Sequence, residues 1–159
     1  MLIRKADAKE MRKLWGNDAS FTARFFYDRI ASGNAVFWTV DDNGELIGEL
    51  YSFLNLDDRD FADGKNNRAY LCAFRIRKQY RGQGLGTALM ESALEDLKNR
   101  GFKTVTIGVK KDEPENIRLY ERLGFSERVK ECHYDPCGLD EKGQPEYDEK
   151  GWWLLVKQL

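Results

Sequence analysis

The sharpest chemical signal in the sequence is a set of alternating glycines, Arg81-Gly82-Gln83-Gly84-Leu85-Gly86-Thr87. A run of this kind that opens a helix presents successive backbone N–H groups with no side chains in the way. The helix dipole adds partial positive charge, so the segment suits an anion. Two familiar phosphate loops do not fit. The dinucleotide fingerprint needs Gly-x-Gly-x-x-Gly, but its third glycine falls on Thr87 when counted from Gly82 and Gly84, and on Leu89 when counted from Gly84 and Gly86. The Gly-Lys-Ser/Thr of the Walker loop is absent. The spacing that remains is Arg-x-x-Gly-x-Gly, carried by Arg81, Gly84 and Gly86. Arg75, Arg77 and Lys78 lie just ahead of it, in a chain whose 26 basic and 27 acidic residues otherwise balance. Local positive charge of this kind favours a phosphate-bearing ligand.

Entered through Phe74-Arg75-Ile76-Arg77-Lys78-Gln79-Tyr80, this loop resembles the coenzyme A pyrophosphate loop of the GCN5-related N-acetyltransferase family. Further along, Asn116-Ile117-Arg118-Leu119-Tyr120-Glu121-Arg122-Leu123-Gly124-Phe125 is similar to the family's other signature, which ends Leu-Tyr-Glu-x-x-Gly-Phe. The resemblance runs from Tyr70 to Phe125, the segment before it matches only in its order of elements, and the tail hardly at all. It implies an N-acetyltransferase that moves an acetyl group from acetyl-CoA to an amine. Gly82, Gln83, Gly84, Leu85, Gly86 and Thr87 would then hold the pyrophosphate, with Arg75 and Arg81 adding charge. The backbone N–H of Phe74 would meet the oxyanion, Ile76 would bond the pantetheine amides, and Tyr120 would serve as general acid. Family members often place an asparagine seven residues before this tyrosine, where this chain has Glu113. Asn116 stands four before it, on the same helix face, and inherits the pantetheine contact.

Transfer from a thioester to an amine demands a neutral nucleophile, stabilisation of the oxyanion and a proton for the departing thiolate. A tyrosine of ordinary pKa, ~10, is protonated at neutral pH and meets the last demand. The first is harder, since an amine of pKa ~10.4 loses its proton at a cost of roughly 4–5 kcal/mol at pH 7. No carboxylate occurs between Arg68 and Ile76, so Glu49, after Gly48 on the preceding strand, is the candidate base, with Asp57 and Asp58 as rivals. Phe21, Phe25, Tyr27 and Tyr51 are candidate walls for the acceptor. Asp57, Asp58, Asp60 and Asp63 would favour a cationic one, such as a polyamine, an aminoglycoside or a protein N-terminus.

Positioning these groups takes a β-α-β unit. Ala69 to Ile76 reads as a strand, Leu85, Leu89, Ala93 and Leu97 form the buried stripe of a helix closed by Gly101, and Val105, Ile107 and Val109 alternate in the next strand. Gly108 marks where the two strands are expected to part and expose backbone. Pro114, after an acidic cap at Asp112 or Glu113, opens a helix that stops at Gly124. Ahead of the unit come a short strand at Leu2–Lys5, a helix through Met11, Leu14 and Trp15, and a second helix capped by Ser20 that carries Phe25, Phe26 and Ile30. A hairpin follows, with strands Ala35–Val40 and Leu46–Leu54 turned at Asn43-Gly44, and then an acidic loop from Asn55 to Asn67. Behind the unit, strands at Phe125–Cys132 and Trp152–Leu159 are joined by a polar loop, Asp135–Gly151. The fold expected is α/β, with a mixed, mostly antiparallel central sheet around a β-α-β acetyl-CoA-binding core.

At 159 residues and 42% hydrophobic content the chain reads as one N-acetyltransferase domain, residues 1–159. Its cofactor-binding half is 70–125 and its acceptor side 15–67 and 126–151. A net charge of −1 gives no global attraction to nucleic acid. Met1 to Asp7 lacks the apolar run of a signal peptide and no stretch approaches a membrane span, so a cytoplasmic location is expected. Cys72, Cys132 and Cys137 are an odd number of thiols, and Cys132 and His133 point to opposite faces of a strand, so no metal site is expected. Monomer and homodimer stay open. The competing reading is a non-catalytic acyl-CoA-binding sensor or regulatory module.

Overall fold

The computed structural model describes residues 1–159. Its strands are β1 (Leu2–Ala6), β2 (Ala35–Asp42), β3 (Glu45–Phe53), β4 (Arg68–Ile76), β5 (Thr104–Lys110), β6 (Glu127–Leu139) and β7 (Pro145–Gln158). Its helices are α1 (Ala8–Leu14), α2 (Phe21–Ala31), α3 (Leu85–Asn99) and α4 (Pro114–Arg122). The strands form one seven-stranded sheet in the order β1-β2-β3-β4-β5-β7-β6. Only β4 and β5 are parallel neighbours, and every other adjacent pair is antiparallel. The mixed, mostly antiparallel sheet expected from the sequence is the one observed. No helix is long and apolar enough to cross a membrane.

Local chemistry sets the element boundaries. Asp7 and Glu10 form a capping box at the start of α1, Glu10 N–H donating to Asp7 Oδ1 at 2.8 Å and Asp7 N–H to Glu10 Oε1 at 3.2 Å. Ser20 Oγ accepts the Ala23 N–H at 3.1 Å and starts α2. Asn43 and Gly44 both take positive φ, 52° and 95°, which is the backbone a tight two-residue hairpin requires. Glu113 precedes Pro114 at the start of α4, but its side chain makes no capping bond and instead accepts from the Asn116 amide.

Two apolar layers sandwich the sheet. One packs α3 against it through Leu71, Leu89, Leu97, Val105, Tyr120 and Phe125, and the other packs α1 and α2 through Met11, Phe26, Phe37, Tyr51, Tyr70 and Trp152. Burying each large side chain contributes about 1.5–3 kcal/mol before chain entropy is subtracted.

The last hairpin departs from expectation. The polar stretch Asp135–Gly151 is mostly strand, with only residues 140–144 left as the connection between β6 and β7. From Pro145 to Lys150 the strand is largely solvated, so it lacks the apolar alternation that marks a half-buried strand in sequence.

Candidate active site

The parallel ladder between β4 and β5 runs from Arg68↔Thr104 to Leu71↔Ile107 and stops there. Gly108, where the sequence suggested the strands would part, is the next residue of β5. On the other side of β4, Tyr51 pairs with Cys72 and Glu49 with Arg75, so Ala73 and Phe74 together oppose Leu50. This is a β-bulge, and it holds Ala73 in the left-handed region at φ 51°. Past Leu71 the edge of β4 that faces β5 has no partner strand. A cavity of about 440 Å³ opens there. Gly108 also matters for space, because a Cβ on it would lie 2.7 Å from Cζ3 of the Trp152 ring.

The cavity is a slot bordered by residues from both faces of the sheet. Tyr120, on the α3 side, and Tyr70 and Trp152, on the α1 and α2 side, all line it.

The glycine loop lies beside this slot. None of the backbone N–H groups from Gly82 to Thr87 has a protein acceptor, and the first helical bond of α3 is Ala88 N–H to Gly84 O at 3.1 Å. Gly82 and Gly84 sit at φ 80° and 78°, and a Cβ on either would meet nothing within 4 Å, so glycine is required there by conformation and not by space. Gly86 is required by contact instead, since its Cβ would fall 2.9 Å from Cζ of Phe74, a residue that lines the slot. Loop and slot are thus packed together. A run of free donors at the N-terminus of a 15-residue helix fits a pyrophosphate group.

The basic side chains near the loop are differently employed. Arg81 Nε donates to the Ile76 carbonyl at 2.8 Å and so fastens the loop to the end of β4. Arg75 pairs with Glu49 at 3.4 Å and Arg77 with Glu45, both across to β3. Gln83 is exposed, and Leu85 and Thr87 are half-buried.

Tyr120 is 6% exposed, and its hydroxyl makes no hydrogen bond within the protein. Burial, and secondarily the charge of Glu113, pushes its pKa up to about 12. Asn116 lines the slot with it and donates to Glu113 Oε2 at 2.8 Å, so the asparagine and the glutamate act as one polar pair. Phe74 lines the slot, whereas Ile76 lies buried at the far end of β4.

The structure does not bring Glu49 to the slot. Its Oε1 accepts from Trp15 Nε1 at 3.0 Å, from the Tyr51 hydroxyl at 2.9 Å and from Arg75 at 3.4 Å, and it lines a separate recess of about 220 Å³ with Arg75, Arg77 and Arg81. The acidic loop is also engaged. Lys130 reaches Asp58 and Asp60 at 3.2 and 2.9 Å, and Asp63 accepts from Asn66 at 2.6 Å; Asp57 is exposed. Of the expected acceptor walls, Tyr51 is core, Phe25 stacks on Phe53, Tyr27 lies under the Arg12 guanidinium at 3.9 Å, and Phe21 is exposed; none lines the slot.

Six other residues that line the slot were not singled out in the sequence. They are Tyr70, Trp152, Tyr147, Asp135, Glu146 and Asp148. Tyr70 sits in a recognisable strand, and its place just ahead of the point where β4 and β5 part could have marked it. The others lie in or beside the stretch read as loop, where solvated strands give no periodic signal.

Sequence and structure comparisons relate the chain to known proteins. The family described as Acetyltransferase (GNAT) matches residues 3–125. N-alpha-acetyltransferase 30 of Schizosaccharomyces pombe is 32% identical over 99 residues, 62% of this chain and 63% of that protein. The ribosomal protein bS18-alanine N-acetyltransferase of Escherichia coli is 36% identical over 70 residues, 44% of this chain and 47% of that protein. Both matched stretches span less than two thirds of the relative. Among solved structures, NAA60 of Arabidopsis thaliana in complex with a bisubstrate analogue superposes with a TM-score of 0.69 at 21% identity, over 99% of this chain and 97% of that one. That last likeness is one of fold.

Proposed function

The chain belongs to the acetyltransferase (GNAT) family, and from that premise we propose that it transfers an acetyl group from acetyl-CoA directly to a primary amine of a small molecule or of a protein or peptide. One observation carries the reading: the slot between β4 and β5 has in its wall Tyr120, whose ring is buried and whose accessible hydroxyl bonds to no protein group, and it is packed against a helix start whose N–H groups have no partner. The slot gives thioester and amine a common site.

Cofactor binding, oxyanion stabilisation and thiolate departure then fall to named groups, while the amine enters neutral from solution and gives its second proton to water. The N–H groups from Gly82 to Thr87 hold the pyrophosphate, aided by the α3 dipole. The open edge of β4 offers backbone groups to an amide-bearing arm, with Asn116 facing it from α4. The Phe74 N–H, at the bulge, stabilises the oxyanion, a donor fixed in advance costing no reorganisation during reaction. Tyr120 meets the sulfur as it leaves. Glu49 stays outside proton transfer and positions Trp15, Tyr51 and Arg75, which join α1 to the sheet.

Incubating the protein with acetyl-CoA and a panel of amines, polyamines, aminoglycosides and peptides, and following free thiol release, tests the proposal. Amine-dependent release is expected. Saturable acetyl-CoA binding with no release for any amine would favour the sensor reading instead.

A further inference from the structure

We propose that the β6–β7 end of the slot is a cation subsite, and that the enzyme selects acceptors carrying a second positive charge a short chain away from the amine it acetylates. The inference rests on the transferase reading above and narrows its substrate class.

Asp135, Glu146 and Asp148 line the cavity where the hairpin borders it, and none of them takes part in an ion pair with a protein cation. Lys110 lines the cavity from β5 and is its one basic lining residue. This sets the cluster apart from the acids of residues 57–63, where Lys130 already binds Asp58 and Asp60. The placement of the acids is built into the backbone. Tyr134 pairs with Tyr147 and Cys132 with Trp152, so a wide bulge from Asp148 to Gly151 opposes His133. A second irregularity follows between Tyr134 and Leu139, and Asp135 stands at its start, its Oδ1 accepting the Cys137 N–H at 2.9 Å. Asp148 Oδ1 accepts the Lys150 N–H at 3.0 Å in the same way. Each of these two carboxylates is therefore aimed by a local turn and keeps further lone pairs for a ligand.

An independent observation points to a polar ligand in the same cavity. Tyr70 lines it, is only 5% exposed, and its hydroxyl has no hydrogen-bond partner in the protein. The hydroxyl is not among the fully buried polar atoms, so it is reached from the cavity, and there it can bond a ligand that carries N–H groups. An amine is such a ligand, and the neighbouring carboxylates favour it over an anion. With the reacting amine at Tyr70 and its second cation at the carboxylates, a monoamine would fill only half of the site. Tyr147, beside the acids, adds an aromatic face for an ammonium or guanidinium group.

The test compares kcat/KM for butylamine with 1,4-diaminobutane, and for a peptide with alanine at its second position with the same peptide bearing lysine there. An Asp135→Asn, Glu146→Gln, Asp148→Asn triple variant is measured alongside. The doubly charged member of at least one pair should win by about tenfold or more in the wild type, less so as salt rises. Whichever pair responds identifies the source of the charge. In the triple variant that ratio should fall to within about twofold of one. Equal kcat/KM within both pairs, or a preference that survives the triple variant, would overturn the subsite while leaving the transferase standing. Failure of every amine to release thiol would overturn both readings. Isosteric amides at these surface positions, checked by an unchanged melting temperature, keep misfolding out of the comparison.

Discussion

Replacing Tyr120 by phenylalanine removes an oxygen that bonds to no protein group, so it tests chemistry with little effect on packing. The hydroxyl has a pKa of about 12, raised by burial and then by Glu113, whereas an ordinary thiol titrates at ~8.5. Complete transfer of the proton to a thiolate is therefore uphill by ~3.5 units, or about 5 kcal/mol. Tyr120 should instead act by donating a hydrogen bond to charge building on the sulfur. A bond to a charged group is worth ~1.5–3 kcal/mol, which is roughly 10- to 150-fold in rate. That lies mostly below the ~10²–10⁴ expected for general acid catalysis and only reaches its lower edge. Single-turnover acetylation of an identified amine should slow by this amount, with the acetyl-CoA dissociation constant changed by less than about threefold. Because Tyr120 stays protonated until pH nears about 12, the pH profiles of wild type and variant should run parallel through neutral and mildly alkaline pH. An unchanged single-turnover rate would make Tyr120 a packing residue. A basic limb near pH ~10 that vanishes in the variant would refute the raised pKa.

Gly84→Val forces a branched side chain into a φ of 78° at the start of α3; it should cost about 1–2 kcal/mol of stability and weaken acetyl-CoA binding at least tenfold, read by thermal melting and titration. Gly108→Ala drives a methyl group to 2.7 Å from Trp152, and it should destabilise by ~1–3 kcal/mol and slow turnover as the ring shifts in the slot. Glu49→Gln retains an oxygen for Trp15 and Tyr51 and gives up an ion pair with a largely exposed arginine, so it should cost under ~1 kcal/mol and leave the acid limb of kcat/KM in place. Loss of that limb would return Glu49 to the role of base.

Why some of this was readable in the sequence and some was not has a physical basis. The glycine loop, the α3 stripe and Asn43-Gly44 obey short-range rules, because φ, capping and helical period depend on a few neighbouring residues. Gly108 was readable as a strand break, but its partner across the sheet, Trp152, was not, because nothing local links residues so far apart. Glu49 illustrates the same limit. Its position on a strand before β4 was right, yet alternation could not say that Trp15, from the end of a helix, would claim its carboxylate. The acceptor face was least legible. Asp135, Glu146, Tyr147 and Asp148 reach the slot through bulges in a solvated hairpin, and a bulge shifts register without leaving a mark in composition.

The order of the sheet also governs how the chain can be made. β6 precedes β7 in the sequence but pairs only with it, and β7 lies between β5 and β6. While a ribosome is still adding β7, β6 has no place to dock and the outer edge of β5, with Val105, Ile107 and Val109, stands open. An apolar strand edge of that kind is a template for pairing with another nascent chain. Insertion of β7, which brings Leu154 and Val156 against that edge, seals it and recruits β6 in the same event. Chains interrupted before Trp152 should therefore be prone to aggregate, and chaperone demand during synthesis should end with the arrival of this strand.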